Sequence, residues 1–295
     1  MSDQEGVDTQ ASQTALVRGS RYLELATTLL QRMRLTCAAG GVWEAADVQW
    51  WSRYRRATDQ HDQLFWLDAN GEPLAAVILT DWDPSIQCDA LMLPASDAFA
   101  REVWRTAVTR AAALGPAPVE FPVRDDDTSG AGVLTDAGYL PGSDRVVASW
   151  LDSGARPQIS ALTPGYRLLS RAEAADRPHH LAARNGQVVE QRLRRCSLYR
   201  PDLDLMVEAP DGQVAGYGLF WADLVTGVGL VEPMRTEQAH QRRGIARHIL
   251  TTGLDRLAAL GCDRLKVSND IDLYLRAGFQ PLAAATATIY SRAAA

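Results

Sequence analysis

Residues 241–246 read Gln-Arg-Arg-Gly-Ile-Ala, a combination suited to holding an anion. An apolar, strand-like run at 228–236 leads into it, and Ile245, Ile249, Leu250, Leu254, Leu257 and Leu260 lead out at helical spacing as far as Gly261. This is a strand, a tight turn and a helix. Such a junction aims the unpaired N–H groups of the first helical turn at one point, backed by the positive end of the helix dipole. Gly244 lets a ligand approach the backbone because it has no Cβ, and Arg242 and Arg243 bring two guanidinium forks shaped for phosphate oxygens. The residues read as a pyrophosphate cradle.

A second short strand at 263–268 follows, and then a short helical stretch from Asp272 that stops at Gly278-Phe279. This order resembles the GNAT superfamily of acetyltransferases, whose signature is Gln/Arg-x-x-Gly-x-Gly/Ala after the fourth strand. The resemblance covers residues 203–290. It implies acetyl-CoA as donor, with Gln241, Arg242, Arg243, Gly244, Ile245 and Ala246 at the pyrophosphate. It also implies that the backbone of Met234 and Thr236 pairs with the pantetheine arm, and that Asn269 lies on the donor side, nearer to Tyr274 than is usual.

By the same resemblance Tyr274 protonates the departing thiolate; the alternative is a packing role beside Leu273 and Phe279. The acceptor amine must lose a proton to attack, so a carboxylate near the fourth strand is wanted. Glu232 is the candidate, placed by strand alternation on the same face as Met234 and Thr236. It is two residues nearer the loop than the base of several family members, where this chain has Leu230. The alternative is that Glu232 pairs with an arginine or orders water. Pro233 has no N–H to give, so this strand is expected to bulge or splay.

The elements that must position these residues occur twice. In the first half, helices are expected at 22–34 and 44–56, strands at 64–67 and 73–80 around Asp68-Ala69-Asn70-Gly71, and a helix at 98–114. A strand at 119–123, a short helix at 130–137 and a strand at 145–151 complete it. The second half repeats the order, with a helix at 187–196, strands at 203–208 and 214–221, then the stretch above. The expected fold class is α+β, as two tandem GNAT-like domains, each a mixed, mostly antiparallel sheet with helices on both faces. The expected boundaries are a polar tail at 1–16, a degenerate domain at 17–152, a Gly/Pro/Ser-rich linker at 153–164, and a catalytic domain at 165–295.

The halves differ where chemistry is concerned. Opposite the second half's anion loop the first has residues 94–100, Pro-Ala-Ser-Asp-Ala-Phe-Ala, without glycine or arginine and with Asp97 read as a helix N-cap. A donor site is therefore expected only in the second half. Tandem order with an active second copy is also similar to the mycothiol synthases, but architecture does not carry a substrate over.

Of 295 residues, 46% are hydrophobic and the formal net charge is −6, which disfavours nonspecific nucleic-acid binding. No apolar run reaches the ~18 residues of a membrane span. The four cysteines are scattered, so neither a disulfide framework nor a zinc site is expected, and a cytoplasmic setting fits. No histidine has evident metal partners, and no metal is expected. Arg192, Arg194 and Arg195, with Tyr199 beyond, are read either as holding an anionic acceptor or as a solvated helix face. The function expected is direct acetyl transfer from acetyl-CoA to a small-molecule or peptide amine, by a monomer whose copies form a pseudo-twofold pair. The alternative is a degenerate acyl-CoA sensor without turnover.

Overall fold

The computed structural model describes residues 13–37 and 41–292. The elements in chain order are β1 (Gln13–Val17), α1 (Gly19–Thr36), α2 (Ala45–Trp51), β2 (Gln63–Leu67), β3 (Pro73–Asp81), β4 (Ile86–Met92), α3 (Asp97–Ala112), β5 (Val119–Arg124), α4 (Thr128–Asp136) and β6 (Leu140–Asp152). They continue as β7 (Arg167–Ser170), α5 (Ala182–Asn185), α6 (Val189–Leu193), β8 (Asp204–Glu208), β9 (Val214–Asp223), β10 (Val228–Thr236), α7 (Ile245–Ala259), β11 (Arg264–Val267), α8 (Asp272–Leu275) and β12 (Gln280–Ser291).

Two compact units result, one of residues 1–48, 55–146 and 283–295, the other of 49–54 and 147–282. They correct the contiguous division at 153–164. In the first unit the sheet runs β1-β2-β3-β4-β5 and is continued by residues of β12, where Tyr290 pairs with Phe121 and Ala287 with Arg124. In the second, residues 149–152 of β6 pair with β11, and the sheet continues β10-β9-β8-β7. The last strand of each sequence half thus serves the other unit. A fragment ending at 152 would leave β5 without this partner.

The tail assigned to 1–16 is also shortened, because residues 13–17 form β1 on β2, with Gln13 opposite Leu67 and Val17 opposite Gln63; residues 1–12 lie outside the described residues. The sequence reading assigned no strand to residues 86–92. Asp89 and Gln87 interrupt the apolar pattern of β4, yet its register with β3 is complete from Asp81↔Ile86 to Ala75↔Met92.

In the second unit, β9 alternates Gly216, Gly218 and Phe220 toward α7 with Tyr217, Leu219 and Trp221 on the opposite face. Helix α7 buries Ile245, Ile249, Leu250, Leu254 and Leu257 against the first set. Contact there is close: a Cβ on Gly253 would lie 2.1 Å from the Phe220 ring. A mid-helix glycine costs about 0.5–1 kcal/mol relative to alanine, and here that cost is offset by seating an aromatic ring on the helix.

Candidate active site

Strand β10 forms three parallel pairs with β11, the last Leu230↔Lys266, and then runs on alone to Thr236. On its other side the register against β9 shifts between Val231 and Met234, so the bulge expected at Pro233 is present. The bulge removes the ground on which Glu232 is assigned to the face of Met234 and Thr236. Leu230 lies opposite Trp221, whereas Met234 lies opposite Gly218, with its sulfur 3.2 Å from where a Cβ on that glycine would be. Alternation cannot be carried across the extra residue. The Glu232 carbonyl accepts from Trp221 Nε1 at 2.8 Å, which ties the bulge to the face away from α7.

The anion loop follows directly. Gly244 is the N-cap residue of α7 with φ 75°, Arg242 has φ 63°, and residues 241–244 are all exposed. Positive φ at arginine is uncommon and costs on the order of 1 kcal/mol or more. The first N–H of the helix with an i−4 partner is that of His248, on Gly244 O at 3.0 Å. The earlier N–H groups of the turn open on the side of Gly244, where an added Cβ would meet nothing within 4 Å.

Around this loop, Gln241 Nε2 donates to Thr236 O at 3.4 Å and Thr163 Oγ1 donates to Arg243 O at 2.6 Å, so both ends are anchored. Ile245 is buried, at 3.1 Å from the Cβ position of Gly216. Ala246 is half-buried and Thr236 Oγ1 is buried without a hydrogen bond. Asn269 is exposed, and its Oδ1 accepts from Asp270 N at 2.9 Å and Ile271 N at 3.1 Å, a turn that launches α8. That side chain is engaged with its own backbone.

Tyr274 lies in α8 with its ring 6% exposed, edge-on to Phe279 at 5.9 Å. Its hydroxyl makes no hydrogen bond among the described residues. Burial pushes the phenol well above its ordinary value, and the charge of Glu232 adds to the shift. The tertiary fold thus brings Tyr274 and Glu232, 42 residues apart in sequence, into electrostatic contact.

The first unit keeps the parted strands and lacks the loop. Its parallel pairing of β4 with β5 ends at Gln87↔Glu120, and Asp89 comes two residues later, as Glu232 comes two residues after Leu230. Asp89 is buried and filled by its neighbours, accepting from Trp43 Nε1 at 2.8 Å and Gln87 Nε2 at 2.7 Å. At the start of α3, Ser96 rather than Asp97 is the N-cap, accepting from Phe99 N at 3.3 Å. Asp97 is the first helical residue and takes Arg101 Nε at 2.8 Å and the Ser129 hydroxyl. This helix start already carries its own anion.

Burial raises the Asp89 pKa to about 7 against the opposing hydrogen bonds of Gln87 and Trp43. A raised carboxyl contributes stability that is present below the unfolded value near 4 and is lost as pH rises through 7. Stability should therefore fall with pH between about 4 and 7, by on the order of 1 kcal/mol per unit, and Asp89→Asn should flatten that slope in urea titrations across this range. An unchanged slope would place the titration elsewhere.

Sequence reading missed one cluster in the second unit. His179 and His180, for which the sequence suggests no metal partners, meet Asp204 of β8, with Nε2 of His179 at 3.1 Å from Oδ2 and Nε2 of His180 at 2.9 Å from Oδ1. Tyr199 Oη donates to Oδ2 at 2.9 Å. All of Asp204 is buried; against that burial, the His180 charge and the bonds from both histidines hold its carboxyl far below the usual range. The three residues are within ligand distance of one another, but His179 Nδ1 accepts from Leu181 N at 3.2 Å. A metal on Nε2 would move the remaining ring proton to Nδ1, facing that N–H, so the set does not fit a metal. Its signal in the sequence was an aspartate opening an apolar strand. Asp204→Asn should lower stability by about 2 kcal/mol through misdirected buried donors. Adding zinc should leave the wild-type melting temperature unchanged, and a zinc-dependent rise would reinstate the metal.

The arginines predicted near the acceptor are engaged. Arg194 Nη2 pairs with Glu190 at 2.8 Å and Arg192 bonds Ser52 O, while Arg195 is exposed.

Residues 165–279 match the model of the Acetyltransferase (GNAT) family. This segment is a GNAT domain. It contains the bulged β10, the loop and Tyr274. Solved structures extend the GNAT likeness to both units, since their alignments cover most of the chain. A tandem GNAT protein from the clavulanic acid biosynthesis pathway is 13% identical, with 95% of this chain and 97% of that one covered at a TM-score of 0.65. A GCN5-related N-acetyltransferase from Sphaerobacter thermophilus is 15% identical, with 95% of each covered at 0.57. One from Kribbella flavida is 16% identical, covering 85% and 94% at 0.52. At these identities the likeness is one of fold. No curated relative matches the sequence. No helix among the described residues is long and apolar enough to cross a membrane.

Proposed function

We propose that the second unit transfers an acetyl group from acetyl-CoA directly to an amine, as a GNAT-type N-acetyltransferase. The observation that carries this reading is the junction of a bulged, parted β10 with the open, doubly cationic start of α7. Exposed N–H groups, Gly244 without a neighbour and the two arginines fit a pyrophosphate, and the parted edge of Met234 and Thr236 fits a pantetheine arm. When bound, the donor supplies an activated acetyl thioester.

The chain's own residues then have distinct tasks. Glu232, beside the bulge, accepts a proton from the amine or from water next to it. Tyr274 holds a proton at Oη for the departing sulfur. Its raised pKa keeps it protonated across the working range, but transfer to a thiolate of pKa about 8.5 is uphill unless concerted with C–S cleavage. The carboxyl and the phenol are coupled: burial and then the Glu232 charge disfavour loss of the Tyr274 proton. The first unit, with Asp89 occupied and α3 capped, is read as structural.

The test is coenzyme A calorimetry on the full chain together with thiol release over a panel of amines, with mass detection of product. Binding without release from any amine would favour the sensor reading; no binding would sink both.

A further inference from the structure

On the face of the second unit's sheet turned away from α7, Tyr217 of β9 lies opposite Arg235 of β10, one residue past Met234 and just beyond the bulge. Glu237 accepts from Arg235 Nε at 3.2 Å and from Arg184 Nη2 at 2.9 and 3.1 Å. Arg53 Nε donates to Asn185, the neighbour of Arg184, at 2.8 Å. Two guanidinium groups thus share a single carboxylate, and a third, that of Arg53, is tied to the residue beside Arg184, an excess of positive charge in a chain whose formal net charge is −6. Side chains of Arg184 and Arg235 are each 45% exposed, so both can be reached from solvent.

The cluster is ordered for binding. Arg53 lies flat on Trp50 at 3.9 Å and on Tyr54 at 4.5 Å, which restricts its rotamers before any ligand arrives. The Tyr217 ring is 5% exposed and its hydroxyl makes no hydrogen bond among the described residues. Burial pushes that phenol up, and the charges acting on it are those of Arg184, Arg235, Glu237 and Arg53, in that order. The phenol of Tyr217 therefore lies in the field of three arginines, of which Arg235 is its cross-strand partner and shares Glu237 with Arg184. Guanidinium forks pair bidentately with carboxylate or phosphate, and Glu237 leaves donors of both arginines free to do so.

Resting on the transferase reading, we propose that the acceptor is an amine carrying a carboxylate or phosphate several bonds away, held by Arg184, Arg235 and Arg53 beside Tyr217. Arg235 is three residues along β10 from Glu232, on the far side of the bulge, so the two side chains mark separate points along the strand. An acceptor that reaches both points has its amine and its anion several bonds apart. An α-amino acid, with its carboxylate two bonds from the amine, is too short to span both points.

The test uses the full chain, acetyl-CoA and matched acceptors: 6-aminohexanoate against 6-aminohexanamide, and 3-aminopropyl phosphate against 3-aminopropanol. The charged member of at least one pair should have a kcat/KM at least about tenfold higher, with the difference in KM and diminished by salt. Which pair shows it separates carboxylate from phosphate. Arg184→Gln should bring that ratio close to one, with the melting temperature and coenzyme A affinity unchanged. Equal use of neutral and charged members would overturn the proposal and leave the transferase reading standing. If no acceptor is turned over, calorimetry of 6-aminohexanoate and 3-aminopropyl phosphate on the coenzyme A-loaded protein decides. Binding lost in Arg184→Gln upholds the anion site while the transferase reading falls, and absence of binding sinks the site as well.

Discussion

Gly244→Asp should weaken coenzyme A binding by about 10²- to 10³-fold in calorimetry, the largest loss expected of a single donor-side substitution. A carboxylate there puts negative charge at the opening of α7 where the pyrophosphate is expected, and its Cβ sits in what is now open space. The backbone also matters, because φ at this residue is 75°. Aspartate tolerates that region better than branched residues do, so the fold should survive with a cost on the order of 1 kcal/mol. Gly244→Asn supplies the control: it carries the same strain and bulk without the charge, and should lose less affinity than the aspartate. Equal, small losses in both would mean that the donor phosphates do not sit at this helix start.

Tyr274→Phe should lower kcat by about 10²-fold or more at saturating donor and acceptor while leaving coenzyme A affinity nearly unchanged. The substitution removes an O–H that has no partner among the described residues, so the edge-on packing against Phe279 and the core around α8 remain. Because the Glu232 charge contributes to the raised phenol pKa, Glu232→Gln should in turn ease ionisation of Tyr274. A lowered melting temperature with normal turnover per folded molecule would instead make Tyr274 a packing residue.

The start of α7 was largely legible in the sequence, because its chemistry is local. A glycine-led helix start, two arginines and a proline that cannot enter a ladder act within a few residues of one another, and the periodic apolar pattern of α7 marks the helix behind them. The bulge at Pro233 could be expected on the same ground. The direction of Glu232 could not, since one extra residue in β10 cancels the alternation used to assign it. Asn269 was placed with the donor by resemblance, and the structure shows its oxygen occupied by its own turn.

The basic stretch at 192–195 left two readings open, because the partners of its arginines lie outside it. Arg192 and Arg194 looked available in a basic stretch, yet one is bonded to Ser52 and the other to Glu190. Arg184 and Arg235 instead share Glu237, and Arg53 is bonded to Asn185 beside them, residues drawn from three distant segments. His179, His180 and Asp204 likewise become a cluster only when β8 is laid under the segment that carries the histidines.

By itself the sequence determined that the chain repeats a unit, that one copy has an anion loop, and that the other carries acidic, self-capping residues in its place. These follow from propensities and charges acting over a turn or two of chain. Only the tertiary structure decided that β12 and β6 each serve the unit of the other sequence half, that Asp89 and Glu232 follow the end of a parallel pairing at matching places, and which arginines share Glu237. Strand partnership and side-chain convergence depend on which surfaces bury each other, and neighbouring residues carry no record of that choice.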